Sequence, residues 1–167
     1  MTMLFLQSPD VAIPIMAGFS ETHPLIAIEP PGEKALLLIG GQGVVPAGFS
    51  ANTGELMNDT GVAAEPYGAI MLVAFNVPGG RLADVDDWYD SEHIPLLMKA
   101  DGWLRVRRFA VSTLAGKPWT SLAFHELRDP AVMNAPERHF ARSTVWRARF
   151  EAEPWFQDAG RWLFLRD

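Results

Sequence analysis

The chain has no cysteine among its 167 residues, which removes disulfides, thiolate metal sites and cysteine nucleophiles at once. It has no apolar run near the roughly 20 residues that cross a bilayer. Its start, MTMLFLQSPD, lacks the basic region and small-residue cleavage site of a secretory leader. A cytoplasmic protein without a membrane partner is the expectation. Positive charge is nearly missing from residues 1–67, which carry seven acids (Asp10, Glu21, Glu29, Glu33, Glu55, Asp59, Glu65) against Lys34 alone, and this accounts for the whole net charge of −6. An acidic total without a basic stripe argues against nucleic acid as a partner. Also missing are the His-Glu-x-x-His, Gly-x-Ser-x-Gly and phosphate-loop patterns, so metal and serine-hydrolase chemistry find no support. LLLIGGQGVVPAG (36–48) begins like a dinucleotide fingerprint. Its third glycine position is Pro46 and no helix start follows, so it reads as a loop.

What is present divides the chain in two. Residues 68–167 balance their charges and hold all six tryptophans, whereas residues 1–67 hold seven of the 13 prolines and eight of the 14 glycines. AIMLVAFNV (69–77) reads as a strand covered on both faces. Residues 81–98 place Leu82, Val85, Trp88, Tyr89, Leu96 and Leu97 at helical spacing. WLRVRRFAVS (103–112) and WTSLAFHEL (119–127) flank the turn LAGKP and predict a hairpin. A short helical turn starts at Asp129 and Pro130, a longer helix spans 136–153 with Pro154 as its stop, and RWLFLR (161–166) is a last strand. The order β-α-β-β-α-β is an α+β, ferredoxin-like arrangement with an antiparallel sheet.

In residues 1–67 only 3–6, 25–29 and 35–39 suggest strands. This stretch is either an acidic arm over a sheet or pocket, or a degenerate first copy of the same unit, and the arm is the preferred expectation. AGFS occurs at 17–20 and again at 47–50, but four residues are too few for a repeat and coincidence is the preferred reading.

The chemistry-bearing stretch is DWYDSEHIP (87–95). On a helix His93 follows Tyr89 by four residues and Val85 by eight, so its imidazole points where the buried face points. Glu92 is its neighbour in sequence but faces elsewhere. Pro95 lacks an N–H, which should loosen the helix at Ser91 and push Ile94 out of α geometry. A core histidine beside a helix end is the plainer interpretation; a proton-transferring histidine in a pocket wall is the functional one. On the following strand, alternation puts Trp103, Arg105, Arg107, Phe109 and Val111 on one face and Leu104, Val106 and Ala110 on the other. If that first face is enclosed, its guanidinium groups need carboxylates of the protein, such as Glu92 or Glu126, or an anionic ligand.

WYDSEHIPLLMKADGWLRVRRF, followed by SLAFHEL and ARSTVWRARF, resembles the EthD-like branch of the dimeric α/β-barrel superfamily over about residues 68–167. Residues 1–67, left outside the match, form an N-terminal extension to that domain. The resemblance implies a ferredoxin-like unit whose sheet meets that of a second subunit in a homodimeric barrel, burying the arginine face. It nominates Tyr89, Glu92 and His93 as polar groups of the pocket. On this expectation His93 is a general base or acid, Tyr89 donates to a developing oxyanion, and Arg105 or Arg107 holds a substrate anion. Trp88, Trp103 and Phe109 then favour a flat aromatic or polyketide-like small molecule. A cofactor-independent cyclase, isomerase or lyase is the leading expectation. The alternatives are a non-catalytic binding barrel, a cofactor-free monooxygenase, or a haem enzyme with His93, His125 or His139 as axial ligand.

Overall fold

AIMLVAF is apolar at nearly every position because β5 (Ala69–Phe75) is covered on both faces. One face looks into a barrel and the other at helices. The computed structural model describes residues 1–167 and contains eight antiparallel strands: β1 (Thr2–Ser8), β2 (Glu21–Glu29), β3 (Pro31–Ile39), β4 (Ser50–Asp59), β5, β6 (Trp103–Ala115), β7 (Ser121–Leu127) and β8 (Gly160–Arg166). They close in the order β1-β3-β2-β8-β5-β7-β6-β4. Written from β4, the first four run β4-β1-β3-β2, and the last four run β8-β5-β7-β6 in the same relative order. Each half is therefore a ferredoxin-like sheet, and the two join through β2–β8 and β4–β6 pairs.

This corrects two expectations. Residues 1–67 are barrel staves, not an arm laid over a sheet, and no second subunit is needed to close the barrel. The fourth N-terminal strand escaped sequence reading because SANTGELMND lacks apolar alternation. Its place is fixed by backbone pairing with both β1 and β6. Gly54 suits that joint, since a Cβ there would sit 2.4 Å from the Ala110 carbonyl oxygen.

The barrel interior is solid. Phe5, Leu25, Leu37 and Ile39 from the first half meet Ile70, Leu72, Phe109, Phe124 and Phe164 from the second, with Phe5 and Phe124 edge-on at 5.4 Å. What differs is the outer cover. In the C-terminal half it consists of helices: α1 (Leu82–Trp88), a π turn (Tyr89–His93) and α2 (Ile94–Leu97) after β5, then α3 (Pro136–Ala141), α4 (Val145–Glu151) and α5 (Pro154–Gln157) after β7. In the N-terminal half two loops take their place, and Val11, Ile13, Met16, Phe19 and Val45 pack on Leu4, Leu6, Leu36 and Leu38. The two AGFS copies occupy matched positions, leading into β2 and β4, and Gly18 and Gly48 share φ +86°. Chance is thus not the whole explanation: the same local turn is used twice, at a backbone angle that glycine adopts without strain.

The expected helix over 136–153 is broken. Thr144 is extended and its Oγ1 accepts from the Arg147 N–H at 3.3 Å, capping a new helix. Pro154 starts α5 instead of only stopping α4. No helix is long and apolar enough to cross a membrane.

Candidate active site

A single turn of π helix places the histidine. Pro95 cannot donate to Ser91, and the chain responds by widening one turn: the Ile94 N–H reaches back five residues to the Tyr89 carbonyl. Ile94 itself stays in the α region (φ −62°, ψ −49°), contrary to the expected displacement. The wider turn brings position 93 over position 88, so the His93 ring stacks on Trp88 with centroids 4.4 Å apart. Tyr89 meets the imidazole edge-on at 5.5 Å.

These rings wall a cavity of about 80 Å³ between the outer face of the C-terminal sheet and the helices. Met71, Val73 and Phe75 of β5 form its floor, and Trp88, Tyr89, His93 and Trp103 one side. The remaining wall carries Arg138, Arg142, Arg147 and Arg161, and no carboxylate lines the cavity. The break between α3 and α4 sets these groups around one mouth. Arg147 is buried and donates to the Arg142 carbonyl at 2.9 Å and to Glu151. Arg138 donates to the Met133 carbonyl at 3.0 Å.

Electrostatics follow from burial and these neighbours. His93 is pulled down to about 3, first by burial and then by Arg147, with Arg138 and Arg142 adding to the effect and the Ala141 carbonyl opposing it. The imidazole is therefore neutral. Its Nδ1 is buried without a partner. Burial pushes the Tyr89 phenol up to about 12, so it stays a proton donor. The Arg108 guanidinium lies over the phenol ring at 4.2 Å. Arg147 is lowered to about 10 by burial, then by Arg142 and Arg161. Behind the cavity His125 is fully buried; its Nδ1 accepts from Trp103 Nε1 at 3.2 Å and its Nε2 has no partner.

Of the residues expected at the site, the structure brings together His93, Tyr89, Trp88 and Trp103. Glu92 lies outside the cavity and accepts from Thr144 Oγ1 at 2.6 Å, tying the π turn to the cap of α4. The strand arginines are on the wrong side. Arg107 points into the barrel and donates to Glu21 at 2.8 Å and Glu126 at 2.6 Å. Arg105 is held bidentately by Asp59, and Phe109 belongs to the barrel core. A register shift between Trp103 and Arg105 breaks the expected alternation, so Trp103 joins Val106 on the helix side. The proposition of one chamber holding the imidazole together with Arg105 and Arg107 therefore fails. The sheet separates them, and the space beyond it is filled.

Sequence reading missed Arg138, Arg142, Arg147 and Arg161. The available signal was ERHFARSTVWRARF, an arginine-rich stretch in which only Glu137 is acidic. Of the three histidines named as axial ligands, His125 is wholly buried with Nδ1 engaged by Trp103 and His139 lies outside the cavity, which leaves His93 as the one residue of its lining that could hold a haem.

No protein-family model and no curated protein matches the chain. Solved structures do. A ferredoxin-fold protein of Listeria monocytogenes 4b F2365, related to antibiotic biosynthesis monooxygenases, superposes with a TM-score of 0.64 at 9% identity, over 100% of this chain and 95% of that one. A putative monooxygenase of Fusobacterium nucleatum subsp. nucleatum gives 0.61 at 8% identity, over 99% and 92%. The haem-degrading enzyme LmHde of Listeria monocytogenes gives 0.60 at 6% identity, over 99% of both chains. At such identities these likenesses establish the fold. The class so defined is a ferredoxin-like α/β barrel, here closed within one chain and carrying a helix-covered pocket.

Proposed function

We propose that the chain removes a proton from a small aromatic or polyketide-like metabolite, with the His93 imidazole as the acceptor. The observation that carries this reading is a neutral imidazole lining a cavity that is walled by four guanidinium groups and no carboxylate. Proton abstraction next to a carbonyl or from a phenol leaves an oxyanion. Arg147 and the Tyr89 hydroxyl are the groups placed to stabilise it. A base held near 3 is weak at neutral pH. Pairing of the oxyanion with the arginines removes part of the field that depresses His93, so it becomes a stronger base as the charge develops.

The same carbanion serves two reaction types. In a cyclase, isomerase or lyase it rearranges and His93 returns the proton. In a cofactor-free monooxygenase it reduces dioxygen: a ring CH2 becomes C=O, one oxygen atom enters the product and the other leaves as water. The monooxygenase reading is supported by two fold neighbours, one related to antibiotic biosynthesis monooxygenases and one a putative monooxygenase, and by the EthD-like segment around His93.

The test uses a hydroxylated anthrone as probe. Under argon in D2O, the wild-type protein should exchange its benzylic protons, and His93→Gln should slow exchange by about 10²–10⁴-fold. Tyr89→Phe should slow it less. Dioxygen uptake in air together with exchange assigns the monooxygenase; exchange without uptake assigns the isomerase or cyclase. Unchanged exchange in His93→Gln removes His93 as the base.

A further inference from the structure

The chain pairs its arginines with acids nearly everywhere except at this pocket. Arg105 has Asp59, Arg107 has Glu21 and Glu126, Arg108 has Asp86 and Asp90, and Arg128 has Glu65 and Asp101. Of the four pocket guanidinium groups only Arg147 meets a carboxylate, that of Glu151. Arg138 and Arg161 donate only to backbone carbonyls, those of Met133, Phe156 and Ala159. Such bonds orient a guanidinium without neutralising it, and each has five donors to share. Arg142 is exposed and its side chain has no hydrogen-bond partner, yet its charge acts on Arg138, Arg147, Arg161 and His93 together. It lines the same cavity as the other three. Arg149 and Arg166, the other arginines without an acid, are exposed and outside the cavity.

Four like charges around one mouth, with only Glu151 in contact and Glu29 acting on Arg138 from outside the cavity lining, repel one another in every unliganded molecule. The Arg147–Tyr89 corner suffices for the oxyanion of the reacting centre. Arg138, Arg142 and Arg161 are then surplus to that task. We propose that they form a subsite for a second, permanently anionic group, so that the substrate is an aromatic acid: a ring whose reacting edge enters beside His93 while a carboxylate or phosphate stays at the rim. The planar fork of a guanidinium matches either oxyanion. The proposal rests on the pocket being the substrate site, and it does not depend on His93 acting as base.

The experiment follows the fluorescence of the full chain, in which Trp88 and Trp103 line the cavity, during titration with benzoate, the isosteric neutral benzamide and phenyl phosphate. Benzoate should bind at least tenfold more tightly than benzamide, with the advantage shrinking as salt is raised. In Arg142→Gln, an exposed position that should not disturb folding, and in Arg138→Gln, the advantage should fall below about threefold. Tighter binding of phenyl phosphate than of benzoate supports the subsite and identifies a phosphate ester as its natural group. Equal affinity for benzoate and benzamide, or benzoate binding unchanged in both variants, overturns the proposal. His93→Gln separates the two readings. Preserved benzoate selectivity with unchanged anthrone exchange sinks only the base, whereas lost selectivity in the arginine variants with normal exchange leaves the subsite standing and the base intact.

Discussion

In the N-terminal half of the barrel the outer sheet face lies beneath two loops whose apolar side chains press directly on Leu4, Leu6, Leu36 and Leu38. In the C-terminal half the same face, in the same strand order, lies beneath helices that stand off it enough to leave a cavity. The covers explain the difference. Loop residues such as Val11 and Met16 are short or flexible and settle into the sheet. The second cover of the C-terminal half is broken at Ser143 and Thr144, and it presents arginines that resist burial without a partner. Charge keeps the layers apart beside His93, whereas apolar loop side chains close over Leu36 and Leu38. The halves are nonetheless not independent. Glu21 of β2 reaches Arg107 of β6, and Asn58 of β4 donates to Asp90 of the π turn at 3.0 Å, so the N-terminal half braces the one that carries the arginine-walled cavity.

The largest expected break in this arrangement is Arg107→Met, which strands Glu21 and Glu126 at the interior end. It should cost about 3–5 kcal/mol in urea unfolding, in one transition if the halves fold together. Two transitions would mean that they do not. Next, Leu36→Ala beneath the loop cover should cost about 2–5 kcal/mol while leaving benzoate affinity within about twofold. A large affinity change would show that the N-terminal outer face also binds.

Acid should then distinguish the halves by their histidines. His93 and His125 are buried neutral on the helix side of the C-terminal sheet, both lowered chiefly by burial. His23 in the N-terminal half is lowered more mildly, by burial and then against the pull of Glu21. For each, the unfolded chain binds the proton first, so stability is complete above the unfolded value near 6.5 and declines as pH falls toward the folded one. Between pH 6.5 and 5, His93→Gln should lose roughly 2 kcal/mol less than wild type. Identical acid curves would contradict a neutral buried imidazole. The smallest effect is Thr144→Ala, at about 1 kcal/mol for the lost cap, with a measurable rise in the KM of the exchange reaction as α4 and Arg147 loosen. Thr144→Ser should restore both.

The elements from β5 to β8 were legible because periodicity and punctuation agree there: AIMLVAF has no polar position, GG ends it, and LAGKP separates two strand-forming runs. His93, Tyr89 and Trp88 were legible for the same reason, since helical spacing fixes a face even through a π turn. Trp103 was placed on the wrong face because alternation carries no mark of a register shift. Glu126 was legible as a partner for an enclosed arginine and does hold Arg107, but the substrate role given to Arg107 fails because its second partner, Glu21, lies 86 residues away, in a half whose last strand has no apolar pattern. The arginine wall was invisible for a related cause. A break after residue 141 decides where Arg142 and Arg147 point, and a sequence that supports one long helix does not announce it.

A barrel assembled from two identical chains receives every substitution twice, so sealing one outer face seals both and a mutation that fills a pocket leaves none. Here the two sheets are consecutive stretches of one polypeptide, and each can drift alone. The chain can spend its first 67 residues purely as a rigid backing plate. Ligand titrations should therefore saturate at one molecule per polypeptide, without the interplay between twin sites that symmetry imposes.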